Sequence, residues 1–216
     1  MTPDERRAFI LANTRLQAVP HAPELRLHLA DEVTPIWRMT EEELGAMGLP
    51  PPFWAFAWAG GQGVARWLLD HPQEAAGKRV VDFATGSGLV AIAAMRAGAR
   101  SALGSDVDAF CEAAVAVNAA ANGVEVEFTD ADLLEGESPE VELICAGDVW
   151  YEQPLAGRVR EWLERAHRRG VRVLVGDPGR TYFDASGLTQ LAEYRVPTTR
   201  DLEDSEVKRT GVWTFA

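Results

Sequence analysis

Hydrophobic and polar positions along this chain change rhythm twice, and the changes outline its organisation. From Arg79 to about Gly176, short apolar runs bounded by glycine alternate with Ala-rich stretches of helical period. The runs predict strands over 79–83, 101–105, 124–128, 141–146 and 171–176. The stretches between them predict helices over 89–97, 109–121 and 154–168. Strands alternating with helices through short connections pair in parallel through right-handed crossovers. The expected fold is therefore α/β, a doubly wound and mostly parallel sheet. Past Gly176 the rhythm lapses, and 193–196 and 211–215 read as an antiparallel C-terminal hairpin that brings the sheet to seven strands. The acidic stretch 201–206 between them reads as a solvated loop.

The N-terminal part follows neither rhythm. Thr2-Pro3-Asp4-Glu5 has the pattern of a capping box with proline in the first turn, and 25–29 alternates like a half-buried strand. Thr40 and the three glutamates after it cap another short helix that stops near Gly48, and Pro50-Pro51-Pro52 makes a stiff connector. Residues 1–52 are thus expected to form an accessory segment and 53–216 the main domain. The main domain opens on an aromatic stretch containing Phe53, Trp54, Phe56 and Trp58, then Gly60-Gly61-Gln62, with Val64, Trp67 and Leu68 at helical spacing.

Composition narrows the partners. The chain has 216 residues, enough for one sizeable core, and 33 acidic against 21 basic side chains give a formal charge of -12. That sign opposes attachment to a phosphate backbone, so no nucleic-acid partner is expected. No apolar run approaches the ~18 residues of a membrane span, and the N-terminus lacks a secretory pattern. No membrane partner is expected, and the cytoplasm is the default location. Cys111 and Cys145 stand far apart, and the four histidines are scattered without an i,i+4 pair, so no metal site is expected.

In a doubly wound sheet, ligands bind beyond the carboxyl ends of the strands where strand order reverses. The first strand of the alternating region ends Asp82-Phe83-Ala84-Thr85-Gly86-Ser87-Gly88 and runs into a helix, so a ligand can approach backbone amides at a positive helix terminus. A methyl group at Ala84 asks for ordinary negative φ there. Gly86-x-Gly88-x-x-Ala91, with Asp106 closing the next strand, fits a dinucleotide fingerprint. The same acid and glycines also fit a turn of the form acid-x-Gly-x-Gly-x-Gly that binds S-adenosylmethionine, with Ala84 replacing the first glycine. Later strand ends favour the second ligand. Asp132 followed by Leu133 and Leu134 suits an adenine amino group with apolar packing on the ring. Asp148-Val149-Trp150-Tyr151-Glu152 puts carboxylates and two aromatic residues on the same rim.

At these residues the chain resembles a class I S-adenosylmethionine-dependent methyltransferase, and more narrowly the protein methyltransferases with an Asp-x-x-Tyr signature, here Asp148 to Tyr151. Trp58-Ala59-Gly60-Gly61-Gln62, Gly176-Asp177-Pro178-Gly179-Arg180 and Thr210-Gly211-Val212-Trp213 are similar to the electron-transfer flavoprotein β-subunit lysine methyltransferases, a likeness running from about Pro20 onward. The resemblance implies S-adenosylmethionine as donor and a protein lysine, of the flavoprotein β subunit, as acceptor. It implies Trp58, Asp82, Gly86, Gly88, Asp106 and Asp132 at the cofactor, joined from the turn and the leucine pair by Ala84, Thr85 and Leu133. Asp148 and Tyr151 are implied as catalytic positions, with Trp150 and Arg180 at the substrate. A nicotinamide-dependent oxidoreductase built on Gly86 and Asp106 stays open at this point.

Overall fold

The computed structural model describes residues 1–31, 51–198 and 206–216, together with Ile36 and Gly45. The expected helix capped at Thr40, Pro50 of the connector and most of the acidic loop lie outside the described residues. The chain begins with α1 (Pro3–Asn13), whose capping box is present: Glu5 N donates to Thr2 Oγ1 at 3.2 Å and Thr2 N to Glu5 Oε2 at 2.7 Å. A two-stranded antiparallel sheet follows, β1 (Arg15–Val19) and β2 (Ala22–Leu29). Only β2 was expected. β1 places a single fully buried side chain, Val19, so its sequence carries little alternation.

The main sheet contains β3 (Arg79–Phe83), β4 (Ser101–Ser105), β5 (Glu127–Thr129), β6 (Leu143–Gly147), β7 (Arg172–Asp177), β8 (Leu188–Pro197) and β9 (Val207–Phe215). Its order is β5-β4-β3-β6-β7-β9-β8, parallel except for β9, which runs antiparallel to both neighbours. The helices are α2 (Ala59–Asp70), α3 (Leu89–Arg96), α4 (Ala109–Ala121) and α5 (Leu155–Arg168). Seven strands, mostly parallel, with a C-terminal antiparallel pair are the architecture expected from the sequence.

Alternation along the central strands fills two cores. Val80, Leu143, Cys145 and Leu174 face α2, α3 and the small N-terminal sheet, whose Leu25 and Leu27 share that core. Val81, Ile144, Ala146, Val173 and Val175 face α5. The strands are buried on both sides, which is why they read as continuous apolar runs. One edge of β2 is satisfied by amide side chains of α4. Asn122 accepts from Arg26 N at 3.0 Å and donates to Arg26 O at 2.6 Å, while Asn118 accepts from His28 N at 2.7 Å.

Strand order reverses between β3 and β6, and their registers with β4 and β7 bring Phe83, Ser105, Ala146 and Val175 to one rim. There α2 crosses β6 and β7 through glycines. A methyl at Gly176 would lie 2.1 Å from Gly60 O, and one at Gly147 would lie 2.7 Å from Gly61 N. Side chains at these positions would push the helix start away from the rim.

Candidate active site

The glycine turn is pinned by two carboxylates. Asp82, 2% exposed at the end of β3, accepts from Thr85 Oγ1 at 2.5 Å and from Ala91 N at 3.0 Å through the same oxygen. Burial pushes its pKa up to about 7, against the hydrogen bonds that favour the ionised form. Asp106, at the end of β4, accepts from Gly86 N at 3.0 Å and, through its other oxygen, from Asp108 N at 3.1 Å. Gly86 and Gly88 have φ of 50 and 82. Ala84 has φ of 53, which corrects the expectation of ordinary negative φ. The left-handed step, about 1 kcal/mol for a residue with a Cβ, lets Thr85 N reach Ser105 O at 3.0 Å. A backbone bond to the neighbouring strand thus accompanies the unfavourable torsion.

Beyond the turn lies a cavity of about 680 Å³, within the range of small-molecule sites. At one end Val107, Leu133 and Leu134 offer apolar walls. Asp132 lines this end too, but its carboxylate is engaged: one oxygen accepts from Leu134 N at 3.0 Å and the other from Arg158 Nη2 at 3.1 Å. It caps its own single-turn helix, Leu133–Glu135, which is what an acid before a leucine pair does locally.

The other end is assembled from three distant segments. Asp148, 9% exposed with φ of 58, accepts from Gly61 N at 3.0 Å through Oδ2. Its Oδ1 accepts from Arg180 Nη2 at 2.7 Å and Nε at 3.2 Å. The Arg180 guanidinium carbon lies 5.6 Å from the centre of the Trp58 ring, a cation–π distance. Arg180 is itself set by a turn, with Asp177 Oδ1 accepting from Gly179 N at 2.6 Å and Arg180 N at 2.8 Å. Burial raises the Asp177 pKa to about 6.

Most of the residues singled out by sequence line this cavity: Trp58, Asp82, Ala84, Thr85, Gly86, Asp106, Asp132, Leu133, Asp148, Tyr151 and Arg180. Gly88 sits behind them as the first cap of α3, where an added Cβ would meet Val115 at 3.1 Å. Trp150 departs from its expected place at the substrate. The left-handed turn at Asp148 sends Val149 and Trp150, 1% and 3% exposed, into the α5-side core, where Trp150 meets Phe183 edge-on. Tyr151, 46% exposed, is the aromatic residue that reaches the rim, and burial of part of its ring raises its hydroxyl pKa. Sequence reasoning missed Phe53, whose carbonyl accepts from Trp58 Nε1 at 2.9 Å and whose ring lies 6.1 Å from Tyr151. It also missed Arg158. The pair with Asp132 spans 26 positions and leaves no local signal.

Among the described residues, Asp82, Asp106, Asp108, Asp132, Asp148 and Glu152 line the cavity against two arginines, Arg158 and Arg180. An acidic lining suits a cationic ligand and opposes the paired phosphates of a dinucleotide.

Comparison with known proteins agrees with that chemistry. Residues 66–147 match the ribosomal protein L11 methyltransferase (PrmA) family. The chain is 36% identical over 215 residues to the electron transfer flavoprotein beta subunit lysine methyltransferase of Xenopus laevis, covering 97% of this chain and 86% of that protein. It is 32% identical over 218 residues to the human protein of that name, covering 98% and 82%. Among solved structures, magnesium protoporphyrin IX methyltransferase from Synechocystis PCC 6803 with bound S-adenosylmethionine shares the fold. Its TM-score is 0.53 at 17% identity, over 72% of this chain and 78% of that one. A ribosomal protein L11 methylase from Lactobacillus delbrueckii subsp. bulgaricus does so at a TM-score of 0.52 and 19% identity, over 74% and 80%.

Proposed function

Because this chain belongs to the electron transfer flavoprotein β subunit lysine methyltransferase family, we propose that its acceptor is a lysine of that flavoprotein subunit and that the Asp148–Tyr151 rim receives it. The chain is an S-adenosylmethionine-dependent methyltransferase, and its residues fit that donor. Asp106 offers a carboxylate beside the glycine turn for ribose hydroxyls, Val107, Leu133 and Leu134 offer apolar faces for a purine, and the acidic lining accommodates a sulfonium. Asp82 and Thr85 hold the turn from behind. When bound, the donor supplies an electrophilic methyl group.

The rest of the task falls on the protein. A lysine amine must arrive neutral with its lone pair free, yet at pKa 10.4 only roughly one molecule in a few thousand is unprotonated at neutral pH. Tyr151 and Phe53 offer exposed aromatic faces at the mouth, where the lysine side chain docks as an ammonium through cation–π contact before it loses its proton. Asp148 acts in this reading as a positioning residue. Its two oxygens are occupied by Gly61 and Arg180, which ties the start of α2, and with it Trp58, to the rim. The amine proton passes to water at the open mouth.

The observation that carries the reading is 36% identity over nearly the whole chain to the Xenopus laevis lysine methyltransferase, joined to an acidic cavity whose far rim is the Asp148–Tyr151 signature. Incubation with the purified flavoprotein β subunit and methyl-labelled S-adenosylmethionine is expected to place label on lysine. Label on no lysine of that subunit removes the acceptor assignment. Among the described residues no helix is long and apolar enough to cross a membrane. We place the enzyme in the cytoplasm, with which the two free buried thiols accord.

A further inference from the structure

Arg180 occupies the position where a carboxylate and an aromatic face would otherwise draw a cation. Its guanidinium donates twice to Asp148 Oδ1, lies over Trp58 and lines the same cavity. An unpaired Asp148 at this rim would attract the acceptor as an ammonium and raise its pKa, opposing methylation. A guanidinium there cancels the carboxylate and, as a like charge, disfavours a second cation in the ammonium form. We infer that Arg180 is a positioning residue that sets the protonation state of the acceptor: paired with Asp148, it keeps the rim from stabilising the ammonium and so holds the free amine accessible near neutral pH. This rests on the lysine-acceptor reading above.

The geometry suits the role. Asp177 fixes the Arg180 backbone through two amides, so the guanidinium arrives from a rigid turn rather than a mobile tail. Among the described residues, the charged and titratable groups around Asp148 and the cavity it lines are Arg180 and Asp177 from the β7 end and Tyr151 and Glu152 from its own loop, with Asp82, Asp106, Asp108, Asp132 and Arg158 across the cavity. The start of α2 adds a positive helix terminus through Gly61 N. Arg180 meets Asp148 through two nitrogens, Nε and Nη2, on one carboxylate oxygen.

The test is the pH dependence of single-turnover methylation of the flavoprotein β subunit, which reports groups in the enzyme–substrate complex. In R180Q the amine pKa rises, so the rate limb moves to higher pH by about one unit, roughly a tenfold loss at neutral pH that alkaline buffer restores. In D148N the Arg180 charge is no longer balanced by Asp148, so the amine pKa falls and the limb moves to lower pH. The double variant R180Q/D148N, with no charge on either side, returns the limb to near the wild-type position. R180K, which keeps the charge, stays closer to wild type than R180Q. A merely structural role lowers rates at every pH without moving the limb. Limbs of R180Q and D148N that coincide with the wild type, or move in the same direction, overturn the inference while the acceptor reading stands. A wild type inactive toward the subunit at every pH removes both.

Discussion

The two ends of the cavity are built on opposite plans. The donor end is largely local: Asp82, Thr85, Gly86, Gly88 and Ala91 lie within ten residues, Asp106 and Val107 follow the next strand, and only Leu133 and Leu134 come from beyond β5. The acceptor end draws Gly61, Asp148 and Arg180 from segments 87 and 32 positions apart and depends on glycine meeting glycine where α2 crosses β6 and β7. A local turn carries its own geometry, whereas a rim assembled at a crossing inherits every displacement of the elements that meet there. The donor end should therefore tolerate change better than the acceptor end.

The sharpest way to break that contrast is Gly176→Ala. Its methyl would stand 2.1 Å from Gly60 O, backbone against backbone with no flexible side chain to yield. Displacement of α2 is expected to cost about 3 kcal/mol in denaturant unfolding and, by misplacing Asp148 and Trp58, about 100-fold in methyl transfer. Calorimetric affinity for S-adenosylhomocysteine should fall by less, through Trp58 alone, since Asp82, Gly86 and Asp106 stay in place. Equal losses of affinity and turnover would show that the two ends are not independent.

A second contrast concerns buried acids. Asp82 at the donor end and Asp177 at the acceptor end have folded pKa values of about 7 and about 6, above the ordinary 3.8, both through burial. The folded state therefore binds more protons than the unfolded one between about pH 4 and pH 7, and stability falls as pH rises through that window. Unfolding free energies from urea titration at pH 5 and pH 8 should differ by about 2 to 3 kcal/mol through Asp82. Asp82→Asn keeps an acceptor for Thr85 and Ala91 and should flatten the larger part of the fall. A midpoint independent of pH in the wild type would contradict this burial argument.

The smallest effect separates the two left-handed residues. Ala84→Gly removes an unfavourable torsion of about 1 kcal/mol, partly offset by the freer unfolded chain, and thermal unfolding should show a gain of about 0.5 kcal/mol with donor affinity intact. Asp148 has similar φ, but its carboxylate is committed to Gly61 and Arg180. Asp148→Gly should lose stability despite the same relief of backbone.

The same division governs what could be read from sequence. β3, β4 and α4 coincide with their predicted limits; α4 opens on its Asp108 cap, and β3 and β4 each end where the chain turns toward the rim. The donor turn was legible from its own acid and glycines, apart from the torsion at Ala84. β5 is shorter than predicted, 127–129 instead of 124–128, since Val124 and Val126 pack against the core from outside the ladder. β8 is longer, extending back to Leu188 along its pairing with β9. At the acceptor end the residue types were visible but their pairing was not. Trp150 and Tyr151 look alike in sequence, and only the turn at Asp148 decides that one is core and the other rim. Likewise, nothing local joins Arg180 to Asp148.

In a crystal structure of the enzyme with S-adenosylhomocysteine, the ribose hydroxyls are expected on Asp106, the adenine against Leu133 and Leu134, and the sulfur directed toward the Asp148–Tyr151 rim. Ligand bound outside this cavity, or within it with the adenine at the Arg180 end, would contradict the assignment of donor and acceptor halves.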